Sequence, residues 1–147
     1  MEVAAAAIAF AQGIGMIATG IRTLHSIRQA PVEFMDLLNH LSTLNGRAEL
    51  LRRSLDSLAG AHSDVPDVDI ATIRNLQVQF EEISNQLNEA ATNFIAKSKG
   101  VDGQGRHRIP RIMWQRQQSN LMGLRQRVKQ LSNEMTDCLA AINTSQG

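Results

Sequence analysis

The residue types that most often carry catalysis or bind metals are few in this chain and poorly spaced for either role. No two of the four histidines are three or four residues apart, so a helix cannot present a histidine pair to a metal ion. Glu81 and Glu82 are adjacent and would point about 100° apart on a helix, which is a poor arrangement for a general acid and base. The glycines from Gly100 to Gly105 are not followed by Lys-Ser/Thr, so they predict a connector rather than a phosphate-binding loop. We therefore expect no catalytic residue, no metal site, no cofactor and no enzyme. The histidines are His25, His40, His62 and His107.

Cys138 is the single cysteine, so the chain cannot form an internal disulfide. Its place on an apolar stripe favours a packed core residue over a reactive thiol. The first charged residue is Glu2, and no basic segment precedes the apolar start as it would in a secretory signal peptide. These features predict a cytoplasmic protein.

Charge is distributed unevenly along the chain, although the net charge is only +1. Residues 1–96 carry 6 basic and 11 acidic side chains, whereas residues 97–129 carry 9 basic and 1 acidic. The basic stretch could be a solvated face that pairs with acidic helices, or it could bind anionic lipid headgroups. Nucleic-acid binding is not expected, because only Trp114 could stack on a base. The densest cations of the stretch are Arg106, Arg108, Arg111, Arg116, Arg125, Arg127 and Lys129.

The apolar segment at the start of the chain is the second unusual feature. From Val3 to Ile21 it has 19 residues without a charge. As a helix this segment is roughly 28 Å long, close to the ~30 Å hydrocarbon core of a membrane. Small residues recur at a spacing of four, which permits close helix contacts in a bilayer. Bulky residues nevertheless share one face opposite a thin polar strip, as in a buried helix of a soluble bundle. Both interpretations stay open on the residues alone.

The elements that must position these features are helices. The chain has 147 residues, of which only 3% are aromatic, and this favours one all-helical domain over 1–147. Three breaks divide the chain, at Ala30-Pro31, over 59–66 and over 98–110. They predict helices at roughly 2–28, 31–59, 67–98 and 110–143.

Apolar residues in all four segments follow a heptad pattern, which predicts an antiparallel, up-down-up-down four-helix bundle. On this register Gly13 borders the polar strip of Gln12 and Thr19. A glutamate at Gly13 is therefore expected to reach water and to leave the fold intact. The stripe residues are Val3, Ala7, Phe10, Ile14, Ile17, Ile21 and Leu24; Phe34, Leu37, Leu41, Leu44, Ala48, Leu51, Leu55 and Leu58; Ile73, Leu76, Phe80, Ile83, Leu87, Ala90 and Phe94; and Trp114, Leu121, Leu124, Val128, Leu131, Met135, Cys138 and Ile142.

Three stretches carry a likeness to a known family. They are the Ala/Gly-rich start through Gly20, the Ala30-Pro31 step with its Leu-rich run, and Ile112-Met113-Trp114 with the apolar pattern after it. On these stretches the chain resembles the HeLo-like N-terminal domains of fungal NLR-like receptors, the STAND proteins with NACHT or NB-ARC cores. The likeness spans nearly the whole chain and extends to HeLo and other four-helix-bundle cell-death effector domains.

The resemblance implies an effector domain of programmed cell death, in the setting of heterokaryon incompatibility and innate immunity. It implies a homo-oligomer that moves from the cytoplasm to the plasma membrane, inserts its apolar helix and permeabilises the membrane. A nucleotide-binding domain further along the same chain is a partner that it also implies, whereas nucleic acid is not. The residues it assigns to insertion are Ala5, Ile8, Ala9, Phe10, Gly13, Ile14, Gly15, Ile17, Gly20 and Ile21, and those it assigns to anionic lipid headgroups are Arg106, Arg108 and Arg111.

An alternative function needs no membrane. A helical adaptor or oligomerisation module would act through protein–protein contacts of the bundle surface alone. Leakage of liposomes separates the two functions.

Overall fold

The computed structural model describes residues 2–28, 30–60 and 70–146. Within them the chain forms four helices and confirms the predicted four-helix bundle with an apolar N-terminal helix. The helices are α1 (Glu2–His25), α2 (Val32–Gly60), α3 (Ile70–Ala96) and α4 (Arg111–Gln146). The predicted start of the third helix at 67, the break over 61–66 and His62 lie outside the described residues.

Local sequence explains where these helices start and stop. Pro31 and Pro110 stand just before α2 and α4, where a fixed φ suits the first turn and no backbone donor is lost. The carbonyl of Pro31 accepts from the Phe34 amide at 3.0 Å, and that of Pro110 accepts from the Met113 amide at 3.0 Å. The first helix ends at His25 rather than at 28, because Ile27 leaves the helix to pair with His107 in the connector before α4.

The predicted apolar stripes form the core. Every stripe residue of α2 is buried, and so are Phe10, Ile17 and Leu24 of α1. The stripe of α4 departs from the prediction in its first turns, where Met113 is buried and Trp114 and Leu121 are only half-buried. A groove lies beside this part of α4, and Trp114 and Leu121 line it.

The helices alternate in direction along the chain. Among the described residues, α1 lies against α2 and α3, and α4 lies against the same two helices. The ring of Phe10 packs on that of Phe80, with centroids 5.5 Å apart. At the opposite end Trp114 packs on Phe34 and Phe94, with centroids 5.0 and 4.8 Å apart. At this second end α1 and α3 finish and α2 and α4 begin.

Candidate functional site

The ten residues predicted for membrane insertion occupy different surfaces of α1. Their exposure depends on whether they face α2 and α3 or point away from both helices. Ala5, Ile8 and Gly15 are exposed, and Ile8 has 61% of its surface accessible. The half-buried members are Ala9, Ile14 and Ile21, and the buried members are Phe10, Gly13, Ile17 and Gly20.

Two glycines let α1 approach α3 closely. A Cβ atom at Gly13 would lie 2.5 Å from Cε2 of Phe80, and one at Gly20 would lie 2.8 Å from Cδ2 of Leu87. These distances leave no room for a side chain at either position, since real Cβ contacts are longer. The expectation that Gly13→Glu preserves the fold is therefore wrong. Gly13 faces α3 rather than the water beside Gln12.

Gly15, rather than Gly13, lies where an added side chain could reach water. No atom outside the local helix lies within 4 Å of a Cβ built there, and the residue is exposed in the middle of the uncharged run. Met16 beside it is 38% exposed. The outward face of α1 is thus formed by small and apolar side chains, with Gln12 and Thr19 as its polar strip.

Among the described residues, α1 is the one helix long and apolar enough to cross a membrane. The span covers Val3–His25, and 33% of its most apolar window is buried in the bundle. Length and composition alone also fit the core helix of a soluble protein. The finding supports an apolar segment that could target a membrane.

Polar attachments between α1 and the other helices are sparse. In the part of the chain that the structure describes, one side-chain hydrogen bond joins α1 to another helix, from Asn45 Nδ2 to the carbonyl of Ile14 at 3.2 Å. The Oδ1 atom of Asn45 is buried without a hydrogen-bond partner. Apolar packing therefore holds α1 in place among the described residues.

Backbone hydrogen bonds fix the connector after α1. The His107 amide donates to the carbonyl of Ser26 at 2.7 Å, and the Arg28 amide donates to the carbonyl of His107 at 2.8 Å. Ile27 between them is buried. These contacts anchor the end of α1 to the connector before α4.

Several cations lie on the segments that meet at this anchor, and we call this end of the bundle the basic pole. It combines the predicted headgroup residues with cations that are distant in the sequence. Two carboxylates, Asp102 and Glu33, lie at the same end. The basic pole consists of Arg22, Arg28, Lys97, Lys99, Arg106, Arg108 and Arg111.

Asp102 organises the loop of the basic pole. Its Oδ1 accepts from the backbone amides of Arg106 and Gln104 at 2.9 Å each. Its Oδ2 lies 3.8 Å from Arg106 Nε and 3.9 Å from Arg28 Nε. The hydrogen bond from the Arg106 amide is the main cause that lowers the pKa of Asp102. Arg106 is thus partly neutralised, whereas Arg108 and Arg111 have no carboxylate within ion-pair distance among the described residues.

The later part of the basic stretch has a structural role. Arg125 NH2 lies 2.6 Å from Asp36 on α2, and Arg127 NH2 lies 2.9 Å from Glu82 on α3. Pairing with the acidic helices, one of the two predicted roles, is confirmed for these two arginines. Within the stretch, Arg106 is therefore paired with Asp102 in its own loop, and Arg125 and Arg127 are paired with α2 and α3.

The metal-ligating side chains of the described residues do not form a cluster. Across 2–28, 30–60 and 70–146, no three His, Cys, Asp or Glu side chains form a group that could hold a metal ion. Cys138 is buried in the core as predicted, and burial raises the pKa of its thiol. A raised pKa disfavours the nucleophilic thiolate.

Comparison with protein-family models, with curated proteins and with solved structures finds no match for this chain. The resemblance to HeLo-like domains therefore stays a prediction, and the class that the structure itself defines is an all-helical four-helix bundle.

Proposed function

We propose that this domain is a membrane-targeting effector, which binds an anionic surface through its basic pole and then inserts α1. Following the HeLo-like resemblance, we further propose that it acts as a homo-oligomer in regulated cell death, as the front of an NLR-like receptor. In this proposal the protein is cytoplasmic until activation and then moves to the plasma membrane.

The observation that carries the proposal is the position of α1 relative to the basic pole. The apolar helix ends at an anchored connector, and the cations of the basic pole, of which Arg28 and Arg106 share Asp102, lie on the segments that meet there. Cations near an anionic leaflet contribute about 1 kcal/mol each. A bundle held at its basic pole would bring the end of α1 to the headgroups. The helix could then swing into the bilayer while the connector stays attached to the bundle.

The free energy of exposing the buried side chains of α1 to water explains why α1 would leave the bundle only at a membrane. The buried side chains Phe10, Ile17 and Leu24 are completely inaccessible to solvent. Each contributes about 1.5–3 kcal/mol by its burial, so exposing them to water would use up much of the ~5–15 kcal/mol that stabilises a domain. Moving them from the core into hydrocarbon retains this contribution. Ile8 and Met16, which are exposed in the bundle, would gain burial.

A charge at Gly15 tests the proposal without disturbing the bundle. Gly15→Glu places a carboxylate in the middle of the uncharged run, where the folded protein has open space. Acidic and basic side chains at a helix centre cost about 2.5–3.5 kcal/mol on insertion scales, equivalent to roughly 60- to 300-fold in partition. We expect Gly15→Glu to fold normally and to lose dye release from vesicles of phosphatidylcholine and phosphatidylserine.

Two variants control this experiment. Gly46→Glu adds the same charge at an exposed glycine of α2 that also has open space, and it should leave dye release unchanged. Gly15→Gln has the same size without the charge, and it should reduce release less than Gly15→Glu. If Gly15→Glu and Gly46→Glu both release as much dye from the vesicles as the unsubstituted protein does, α1 does not insert.

The complete burial of Phe10, Ile17 and Leu24 favours the second candidate, a helical adaptor in which α1 is a permanent core element. The adaptor predicts no dye release by any variant, including the unsubstituted protein. It also predicts concentration-dependent self-association that does not require lipid.

A further inference from the structure

A groove opens at the basic pole between the start of α2 and the first half of α4. Its volume is about 620 Å³, within the range of about 300–1,000 Å³ that is usual for small-molecule sites. Trp114 and Leu121, which are partly buried, line it on the α4 side.

Apolar side chains form one part of the lining of this groove, and Gln115 and Gln118 form part of the rest. The ring of Trp114 is fixed edge-on against Phe34, with centroids 5.0 Å apart and an interplanar angle of 72°. Leu121 and Met122 continue the wall along α4, and Met122 is 42% exposed. A wall of this kind binds an apolar chain and does not by itself hold a charged group.

Two arginines line the same groove. Arg111 comes from the first turn of α4, and Arg28 comes from the connector between α1 and α2. The nearest carboxylate to Arg28 is Asp102 at 3.9 Å, and Asp102 also contacts Arg106. Glu33 lines the groove as well, but no ion pair joins it to either arginine within the described residues. The groove thus offers two guanidinium groups beside a strip of apolar side chains.

We propose that this groove binds a single-chain anionic amphiphile, a molecule with a carboxylate or phosphate head and one long hydrocarbon chain. The head would lie between Arg28 and Arg111, since guanidinium groups bind both kinds of oxyanion in a fork geometry. The chain would lie along Trp114 and Leu121. This binding concerns the folded bundle and does not depend on the insertion of α1.

Trp114 provides the readout, because it is the single tryptophan of the chain. Bromine atoms on a hydrocarbon chain quench tryptophan fluorescence only at short range. The probe is dibromostearic acid, titrated below the concentration at which it forms micelles. We expect saturable quenching of Trp114 at one molecule per protein. The methyl ester of the same acid, which lacks the charge, should bind at least about tenfold more weakly.

Matched variants identify the groove. Arg111→Gln should weaken binding about five- to tenfold, whereas Arg116→Gln, an exposed arginine further along α4 that does not line the groove, should not. Met122→Glu adds a repelling charge at the groove and should weaken binding by a similar factor. Met35→Glu is its control, because Met35 is 38% exposed but does not line the groove. Thermal melts confirm that each variant is folded.

Three results would overturn the proposal. The first is the absence of quenching by the monomeric acid, and the second is quenching that Arg111→Gln and Met122→Glu leave unchanged. The third is quenching only by brominated phospholipid in vesicles, which would indicate that the basic pole enters a bilayer rather than that the groove holds a free molecule. Dye release by the same protein samples is measured separately, so failure of the groove and failure of membrane insertion are distinguished.

Discussion

The same substitution at two glycines of α1, Gly13→Ala and Gly15→Ala, should stabilise the protein at Gly15 and should not stabilise it at Gly13. Gly13 and Gly15 are both in the interior of the helix, so each alanine gains about 1 kcal/mol of helix propensity. Only Gly13 faces another helix closely. A Cβ there would lie 2.5 and 2.8 Å from two carbons of the Phe80 ring, whereas a Cβ at Gly15 meets nothing within 4 Å.

The difference between the two variants isolates the contact with Phe80, because the propensity gain is common to both. Phe80 is 1% exposed and packs against Phe10, so its ring cannot move away freely. Overpacking of this kind costs typically about 1–3 kcal/mol. We therefore expect Gly15→Ala to unfold at a higher denaturant concentration than the unsubstituted protein, and Gly13→Ala to be about 1–3 kcal/mol less stable than Gly15→Ala.

Urea titrations followed by far-ultraviolet circular dichroism measure both free energies of unfolding. For a chain of this size, 1 kcal/mol corresponds to roughly 2–4 °C in Tm, so thermal melts provide an independent check. Equal stabilisation by both alanines would refute the close packing of α1 on α3. It would also remove the basis for choosing Gly15 rather than Gly13 as the site of the membrane test.

Three further predictions concern the core, an ion pair and the basic pole. Leu51→Ala should cost about 2–5 kcal/mol in urea titrations, since Leu51 is completely buried; a cost below about 0.5 kcal/mol would contradict its place in the core. The hydrogen bond from Arg52 is the main cause that lowers the pKa of Glu49 from 4.5 to about 2, so its contribution to stability is present above about pH 4.5 and is lost as the pH falls towards about 2. In Glu49→Gln the free energy of unfolding should therefore fall less steeply as the pH is lowered through this range. A fall as steep as that of the unsubstituted protein would show that the pair contributes nothing. Replacing Arg108 and Arg111 by Gln should weaken binding to anionic vesicles by about 1 kcal/mol per charge, and binding of the unsubstituted protein should fall as salt rises; indifference to both would exclude the basic pole as the lipid contact.

The face of each helix that points to the core could be predicted from the sequence, because a heptad pattern depends only on the residues of that one helix. All the predicted stripe residues of α2 are buried. The heptad template nevertheless underestimates the buried face, since Leu38 is also inaccessible. α2 contacts both α1 and α4, and two neighbours cover a wider face than the two positions of a coiled-coil seam.

The surroundings of Gly13 and the basic pole could not be predicted in this way, because both depend on which helices are neighbours. The register of α1 alone placed Gly13 beside Gln12, whereas the approach of α3 makes Gly13 a contact for Phe80. Arg28 and Lys99 are distant in the sequence and come together only because α1 and α3 end where α2 and α4 begin. The alternation of helix directions, applied to the loop residues, would have indicated this cluster.

The most direct test of the central claim is to observe α1 enter a bilayer. An environment-sensitive fluorophore attached to Gly15→Cys faces water in the bundle, because Gly15 is exposed. The native thiol of Cys138 is buried with a raised pKa, and it should label slowly, as the unsubstituted protein will show. The same fluorophore on Gly46→Cys, an exposed position of α2, is the control.

On addition of vesicles of phosphatidylcholine and phosphatidylserine, we predict that the emission at position 15 shifts to shorter wavelength and is quenched by brominated acyl chains. The emission at position 46 should change little. If the protein binds these vesicles and position 15 remains in a water-like environment, α1 stays in the bundle and the proposed insertion is contradicted.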